Sequence, residues 1–255
     1  MLDARGIRVE FGGVAALDSV SFSVEPGSAV GLIGPNGAGK STFINVVAGS
    51  LAPAAGRVCW RGRQVSARRP DLVARLGVAR TFQHAHLFPG LTALENVMIG
   101  AHLKGRSGVF DAMVRSPRWR DDERRLRAIA AEAMEQVHAG HLAHKVCDDL
   151  TAGQQRLVAV ARALAGAPSL LLLDEPAAGL TDTERERLSA DLKAYFATHG
   201  LTVLLVEHHL GFLMSLVSRI VVFDRGTVLA DGEPARIRRD PAVIAAYLGA
   251  DHATS

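Results

Sequence analysis

The sequence predicts an α/β fold with a mostly parallel sheet, an antiparallel β element near the N-terminus and an inserted helical subdomain. Three observations lead to this prediction. The first part alternates apolar and polar residues, the middle carries apolar residues at helical spacing, and the last third alternates short apolar runs with helical segments. Strands that alternate with helices are typical of a parallel sheet covered on both faces.

The first part of the chain contains short strand patterns and one helix. The predicted elements are strands at Ile7–Phe11, Val20–Val24 and Ala29–Ile33, a helix from Lys40 to about Ala48, and strands near Gly56–Trp60 and Gly77–Phe82. Gly49 ends the helix, because glycine favours the backbone conformation that follows a helix C-terminus.

The middle of the chain is predicted to be helical. Pro117 to about Ala139 has apolar residues at helical spacing, and Ser116 before the proline is a good helix start. A second helix is predicted at Gln155–Ala165, preceded by Thr151 and Gln154, whose spacing fits a capping box.

The last third returns to alternating strands and helices. The predicted elements are strands at Ser169–Leu173, Leu201–Val206, Arg219–Asp224 and Thr227–Ala230, helices at Asp182–Thr198 and Leu210–Ser218, and a helical tail at Pro234–Gly249. We therefore predict one domain with a core (1–83 and 164–233), a helical subdomain (84–163) and a C-terminal helical tail (234–255).

Composition excludes several classes of protein. The chain has 255 residues with 48% hydrophobic and 22% charged residues, and a net charge of +3 is too small to indicate nucleic-acid binding. Its two cysteines, Cys59 and Cys147, are too far apart in sequence for a zinc motif and fit a reducing compartment. We expect no signal peptide and no membrane span, so a membrane role would come through partners.

The strongest motif is a phosphate-binding loop. GPNGAGKST follows an apolar strand and precedes a helix, which is the context that this motif requires. Its residues are Gly34, Pro35, Asn36, Gly37, Ala38, Gly39, Lys40, Ser41 and Thr42. The backbone N–H groups surround phosphate oxygens, Lys40 supplies positive charge to the β- and γ-phosphates, and Ser41 can bind Mg²⁺.

An acidic pair ends a second apolar strand. In SLLLLDEP, Asp174 can hold Mg²⁺ through water, and Glu175 is placed to polarise a water for attack on the γ-phosphate. By itself this pattern could equally be a strand that ends in a solvated acidic turn. The complete phosphate loop in the same chain favours the catalytic interpretation.

The phosphate loop, LTAGQQ and LLLLDEP together resemble the ATP-binding subunits of ABC transporters, which have a P-loop NTPase (RecA-like) core. In that family the helix beginning at the LTAGQQ position contacts the γ-phosphate of ATP held by the opposite subunit of a head-to-tail dimer. Thr151, Gly153 and Gln154 match this motif. Thr151 replaces a serine and Ala152 replaces a glycine, and an ordinary helix N-cap is the alternative.

The resemblance implies further site residues. Gln83 fits the family glutamine whose amide approaches Mg²⁺ and the attacking water, and His208 fits the histidine that contacts the γ-phosphate. Phe11 fits the aromatic position that stacks on adenine, although a core phenylalanine is nearly as good an interpretation. Thr181 stands where the family often has Asp. Surface positions without function are the alternatives for Gln83 and His208.

The segment from Thr81 to Lys104, the long insert after it and the ending PAVIAAYLGA are similar to the larger ATPase subunit of branched-chain amino-acid importers. This similarity implies ATP and Mg²⁺ as cofactors. It also implies hydrophobic permease subunits, a second ATP-binding subunit (a paralogue or a second copy) and, indirectly, an extracytoplasmic solute-binding protein as partners. The expected place is the cytoplasmic face of the inner membrane.

The function predicted from this resemblance is ATP hydrolysis that powers an importer for branched-chain or other amino acids through ATP-driven dimer closure. One alternative is the ATPase of a different ABC transporter, such as a lipid or polysaccharide exporter. Another is a non-transport ABC protein that acts on nucleic acid or ribosomes, although such proteins usually carry two cassettes in one chain. A soluble phosphate-loop kinase would explain neither LTAGQQ nor His208.

Overall fold

The computed structural model describes residues 1–81 and 86–251. They belong to two compact units. Unit 1 comprises Met1–Arg80, Leu170–Glu175 and Phe196–Ser255, and unit 2 comprises Thr81–Ser169 and Pro176–Tyr195. The division into core, helical subdomain and tail at residues 83, 163 and 233 stays a prediction.

The described residues form both classes of regular element. The strands are β1 (Leu2–Phe11), β2 (Val14–Val24), β3 (Ala29–Ile33), β4 (Ala55–Trp60), β5 (Arg63–Gln64), β6 (Val78–Arg80), β7 (Leu170–Asp174), β8 (Thr202–Val206), β9 (Arg219–Asp224) and β10 (Thr227–Gly232). The helices are α1 (Lys40–Val47), α2 (Pro70–Arg75), α3 (Ala93–Gly100), α4 (Val109–Met113), α5 (Pro117–Glu135), α6 (Ala152–Ala165), α7 (Asp182–His199), α8 (Leu210–Leu216), α9 (Pro234–Ile237) and α10 (Pro241–Asp251).

The main sheet of unit 1 has six strands in the order β10-β9-β3-β8-β7-β6. All neighbouring pairs are parallel except β10 with β9, which form an antiparallel hairpin. Every residue of β7 and β8 is buried, as expected for central strands of a parallel sheet with both faces covered. The carboxyl ends of β3, β8, β7 and β6 therefore lie along one edge, in that order.

The second sheet of unit 1 is the predicted N-terminal antiparallel element. Its four strands have the order β2-β1-β4-β5. Buried and exposed residues alternate along much of β1, which is the pattern of a sheet with one face against a core. Three aromatic rings pack together in that core: Phe43 of α1 lies 4.8 Å from Phe22 of β2 and 5.7 Å from Phe223 of β9, between ring centroids.

Helices α3, α5 and α6 pack against one another in unit 2. Gly100, the last residue of α3, allows the closest approach: a Cβ atom there would lie 1.9 Å from the carbonyl oxygen of Arg162 in α6. Any side chain at this position would push the helices apart, so the close α3–α6 contact depends on glycine.

A buried carboxylate attaches the insert before α5 to that helix. Asp122, which is 6% exposed, accepts hydrogen bonds at Oδ2 from the backbone N–H groups of Arg106 (2.6 Å) and Ser107 (2.9 Å). The Ser107 hydroxyl donates a third bond to Oδ2, and Arg125 contacts Oδ1 at 3.2 Å. These donors lower the pKa of Asp122 to about 2, the two backbone N–H groups having the largest effect.

Two predicted helix boundaries were wrong for identifiable reasons. The helix predicted to start at Gln155 begins at Ala152, since Thr151 is its N-cap. The helix predicted to reach Ala139 ends at Glu135 and is followed by His138 with φ of +52°. The predicted helical tail consists of two helices, α9 and α10, and Pro241 starts the second because proline fits the first turn of a helix. Among the described residues, no helix is long and apolar enough to cross a membrane.

Candidate functional site

The phosphate loop joins β3 to α1 at the edge of the sheet, and its glycines are needed for two different reasons. Gly34 and Gly39 have φ of +148° and +101°, and a Cβ atom at them would lie 2.1 Å from the oxygen of Phe223 and 2.6 Å from the oxygen of Ala16. Gly37 has φ of +79° with open space beside it. The first two need glycine for packing as well as conformation, whereas Gly37 needs it for conformation alone.

Lys40, the first residue of α1, is buried inside the loop. Its Nζ donates to the carbonyl oxygens of Gly34 (2.7 Å) and Pro35 (2.9 Å). Burial lowers the pKa of Lys40, and the charges of Glu175 and Asp174 oppose that shift. Gly39 precedes the helix and has no side chain to cap it, so the first N–H groups of α1 remain available to an anion.

The acidic pair is held differently at its two positions. Asp174 ends β7 and is 1% exposed, with Oδ2 3.3 Å from Nη2 of Arg80. Glu175 has φ of +50°, a conformation that a residue other than glycine rarely adopts. Its N–H donates to Val206 at 2.9 Å. That bond to the neighbouring strand helps to hold the unusual turn.

Two predicted catalytic side chains are in contact. Nε2 of His208 lies 3.0 Å from Oε1 of Glu175. The histidine follows β8 and the glutamate follows β7, so the adjacent strands bring together residues 33 positions apart in sequence, from 175 to 208. This pair is on the same sheet edge as the phosphate loop, since β3 is the other neighbour of β8.

Sequence reasoning missed three residues of this edge. Glu207 is 5% exposed, and its Oε2 accepts from the N–H groups of His208 (3.0 Å) and His209 (3.2 Å). His209 caps α8 by accepting from the N–H of Phe212 at 3.1 Å. Arg80 contacts Asp174. In the sequence, the position of a charged residue at the end of a short apolar strand could have identified Arg80 and Glu207.

Three further residues predicted for the site are Phe11, Ser41 and Gln83. Phe11 at the end of β1 is 54% exposed, so it is not the core phenylalanine that the sequence left open. Ser41 is exposed at the start of α1. Gln83 lies outside the described residues.

Unit 2 carries the LTAGQQ segment as a helix start. Thr151 Oγ1 accepts from the N–H of Gln154 at 3.3 Å, and Gln154 Oε1 accepts from the N–H of Thr151 at 3.2 Å, which confirms the predicted capping box. Gly153 is buried, and a Cβ there would lie 2.8 Å from the oxygen of Gly179. The glycine is therefore required by its contact with the loop before α7.

The departure at Thr181 has a local structural role. Its Oγ1 accepts from the N–H of Glu184 at 3.3 Å, and Glu184 accepts from the N–H of Thr181 at 2.9 Å, so Thr181 starts α7. The N–H and the hydroxyl of Thr181 both donate to the Glu184 carboxylate and lower its pKa. Threonine and aspartate are both good N-caps, which explains why either residue fits this position.

The donor set at the sheet edge fits Mg²⁺. This ion prefers oxygen ligands and keeps several waters, with one or two carboxylates and substrate phosphates completing its shell. The hydroxyl of Ser41 and the carboxylate of Asp174 are such ligands. Among the described residues there is no group of three or more His, Cys, Asp or Glu side chains that could hold a metal ion.

Comparison with known proteins gives matches along the chain. The family model described as ABC transporter matches residues 17–178, and the model for branched-chain amino acid ATP-binding cassette transporters matches residues 227–253. The high-affinity branched-chain amino acid transport ATP-binding protein BraF of Pseudomonas aeruginosa is 38% identical, covering 98% of both chains. LivG of Escherichia coli, described in the same words, is 36% identical with the same coverage.

Solved structures show the same fold. The ADP conformation of MJ1267, an ATP-binding cassette of an ABC transporter, has a TM-score of 0.81 and 31% identity, with 98% of each chain covered. A dimeric post-hydrolysis state of the ATP-binding cassette MJ0796 bound to ADP and Pi has a TM-score of 0.80 and 27% identity, covering 92% of this chain and 99% of the other. The α/β fold predicted from the sequence is confirmed.

Proposed function

Because this chain belongs to the family of ABC transporter ATP-binding subunits, we propose that it hydrolyses ATP to drive the import of branched-chain or other amino acids. Its ATPase class follows from the family. The solute class is supported by the full-length similarity to BraF and LivG and by the match over residues 227–253. The observation that supports the chemistry best is the contact of Glu175 with His208, one strand away from the phosphate loop.

The phosphate loop binds the nucleotide. The N–H groups at the start of α1 and around Gly37 donate to phosphate oxygens, and Nζ of Lys40 moves from the loop carbonyls to the β- and γ-phosphates. Burial lowers the pKa of Lys40, whereas the negative charge of a bound phosphate would raise it. Bound nucleotide therefore favours the protonated lysine. Phe11 presents an exposed ring for stacking on adenine.

Glu175 acts on the attacking water. Its carboxylate accepts a hydrogen bond from the water and orients the oxygen toward the γ-phosphorus, while His208 contacts the γ-phosphate. Their 3.0 Å contact holds the glutamate side chain in one orientation. The family resemblance assigns Gln83 to a position beside the metal and the water.

Mg²⁺ when bound neutralises phosphate charge, and Ser41 and Asp174 hold it. Residues Thr151, Gly153 and Gln154 contact the γ-phosphate of ATP bound to the other subunit of a head-to-tail dimer. The capping box uses the N–H groups of Thr151 and Gln154, and the N–H groups of Ala152 and Gly153 between them can point at an anion. Closure of the dimer on two ATP molecules drives the membrane subunits, and hydrolysis reopens it.

The proposed partners follow from this mechanism. They are hydrophobic permease subunits, a second ATP-binding subunit and, through the permeases, an extracytoplasmic solute-binding protein. The chain would lie at the cytoplasmic face of the membrane, bound through the permeases.

Replacing Lys40 by alanine tests the function. We expect ATP affinity and hydrolysis each to fall by ~100-fold, because the variant loses the charge that neutralises the phosphates. ATP binding would be measured by calorimetry, and hydrolysis by phosphate release. Lys193→Ala, which removes an exposed lysine of α7, is the matched control and should leave both values unchanged. Normal binding and hydrolysis in Lys40→Ala would contradict the proposal.

A further inference from the structure

Arg80 joins three elements that border the nucleotide site. It is the last residue of β6, with a side chain that is only 12% exposed. Its Nη1 donates to Oδ1 of Asn45 on α1 at 2.6 Å, and its Nη2 donates to Oδ2 of Asp174 at the end of β7 at 3.3 Å. One guanidinium thus contacts both the helix that follows the phosphate loop and the carboxylate that ends the acidic strand.

Burial of this guanidinium requires compensation. Removing an arginine from water is costly, and the cost is offset only by good hydrogen bonds and an opposite charge. Burial lowers the pKa of Arg80 and the charge of Asp174 opposes that shift, so the carboxylate is a main partner of the buried cation. The planar guanidinium can contact two acceptors at once, which the point charge of a lysine cannot do in the same way.

We propose that Arg80 is a positioning residue for Mg²⁺ binding, holding Asp174 at Oδ2 and competing with the metal for the charge of that carboxylate. The proposal rests on the proposed function, since it concerns the Mg²⁺ that accompanies the nucleotide. It assigns a role to a residue before the glutamine segment that motif matching did not single out.

The physical reason is repulsion between two cations at one carboxylate. A guanidinium 3.3 Å from one oxygen of Asp174 keeps a positive charge within a few ångströms of any cation on the other oxygen. In a partly buried place this repulsion is screened less than in water. Arg80 therefore orients the carboxylate and weakens its affinity for Mg²⁺, which favours release of Mg²⁺ with ADP after hydrolysis.

The test measures how much Mg²⁺ strengthens ADP binding. For each variant, the Kd of ADP is determined by calorimetry with EDTA and with saturating Mg²⁺. The Kd with EDTA divided by the Kd with Mg²⁺ is the metal coupling ratio, which rises when Mg²⁺ strengthens ADP binding more. This ratio cancels effects on ADP binding alone. In Arg80→Met we expect the ratio to rise by roughly tenfold, because the competing charge is gone. In Arg80→Lys, which keeps the charge, it should stay within about twofold of wild type.

Two further variants separate positioning from stability. Arg219→Met removes another arginine of unit 1, whose Nε bonds Oδ1 of Asp231 at 2.6 Å. It should lower the thermal midpoint and leave the metal coupling ratio unchanged. Arg80→Gln keeps a donor without the charge and repeats the test if the methionine variant does not fold.

Each result decides the proposal. A raised ratio in the neutral variants with a normal ratio in Arg80→Lys supports it. An unchanged or lowered ratio in the neutral variants, or equal ratios in Arg80→Met and Arg80→Lys, would overturn it and leave Arg80 with a purely structural role. A wild-type ratio of one would instead refute the Mg²⁺ site of the proposed function, and the proposal would fall with its premise.

Discussion

Several charged side chains in this protein are held in place by hydrogen bonds or ion pairs with other groups of the chain. Asp122 of unit 2 accepts three hydrogen bonds at Oδ2, and these donors lower its pKa. Lys40, Asp174 and Glu175 each contact a protein group at the sheet edge. The Asp122 bonds join parts of unit 2, whereas the three side chains at the sheet edge of unit 1 are the ones proposed to act on the nucleotide.

Asp122 should give a pH-dependent contribution to stability. Its folded pKa of about 2 lies below the ordinary value of 3.8, so the ionised form stabilises the fold at neutral pH. This contribution, about 1–2 kcal/mol, should be lost as pH falls from about 4 to 2. Urea unfolding should show Asp122→Asn less stable than wild type at pH 7, with the difference shrinking over that range. Asp121→Asn, at an exposed neighbour, should show no such difference, and a constant gap for Asp122→Asn would refute the linkage.

At the scale of elements, two helices of unit 2 begin with the same kind of N-terminal cap. Helices α3 and α6 both begin with a threonine capping box, at Thr92 and Thr151. The two caps are locally equivalent, because each threonine oxygen accepts from the third N–H of its helix at 3.3 Å. The proposed function gives a second role to only one of them.

This equivalence provides a matched pair of variants. Thr92→Ala and Thr151→Ala should each lower the free energy of unfolding by about 1 kcal/mol, since each removes an N-cap. Only Thr151→Ala should also weaken ATP-induced dimerisation, because the proposed contact with ATP on the other subunit is lost. Chemical denaturation measures the first effect and light scattering with ATP the second. Equal dimerisation by the two variants would show that Thr151 acts only as a cap.

For the whole molecule, the open question is which subunit completes the dimer. Ala152 and Thr181 depart from the family pattern on the surface proposed to meet the second ATP, and asymmetric dimers accommodate such departures at one site. Thr181 also has a use within its own chain, as the N-cap of α7. The structure of one chain is compatible with either a second copy or a paralogue.

Purified Glu175→Gln protein should answer this question. The amide keeps the size of the side chain but cannot take a proton from water, so ATP stays bound and the closed state accumulates. With ATP we expect the solution mass to double if the chain pairs with itself, as measured by light scattering against wild type. A monomer that still binds ATP would show that a paralogue or a permease is required, and co-expression would follow.

Local chemistry was predictable from the sequence. The phosphate loop, the capping box at Thr151 and the main strands were recognised because each depends on residues a few positions apart, where spacing alone sets the geometry. The family resemblance then supplied further candidate site residues, such as His208 and Phe11. Errors at helix ends, as at Gln155, arose because periodicity marks the body of a helix better than its first turn.

The tertiary structure decided which distant groups meet. Arg80 contacts residues 35 and 94 positions away, Asn45 and Asp174, and these contacts exist only because α1 and β7 lie beside β6. The exposure of Phe11, the burial of Glu207 and the need for glycine at position 100 follow likewise from packing. A sequence pattern specifies the chemistry of a segment, whereas strand order and helix packing bring segments together, and these depend on the whole chain.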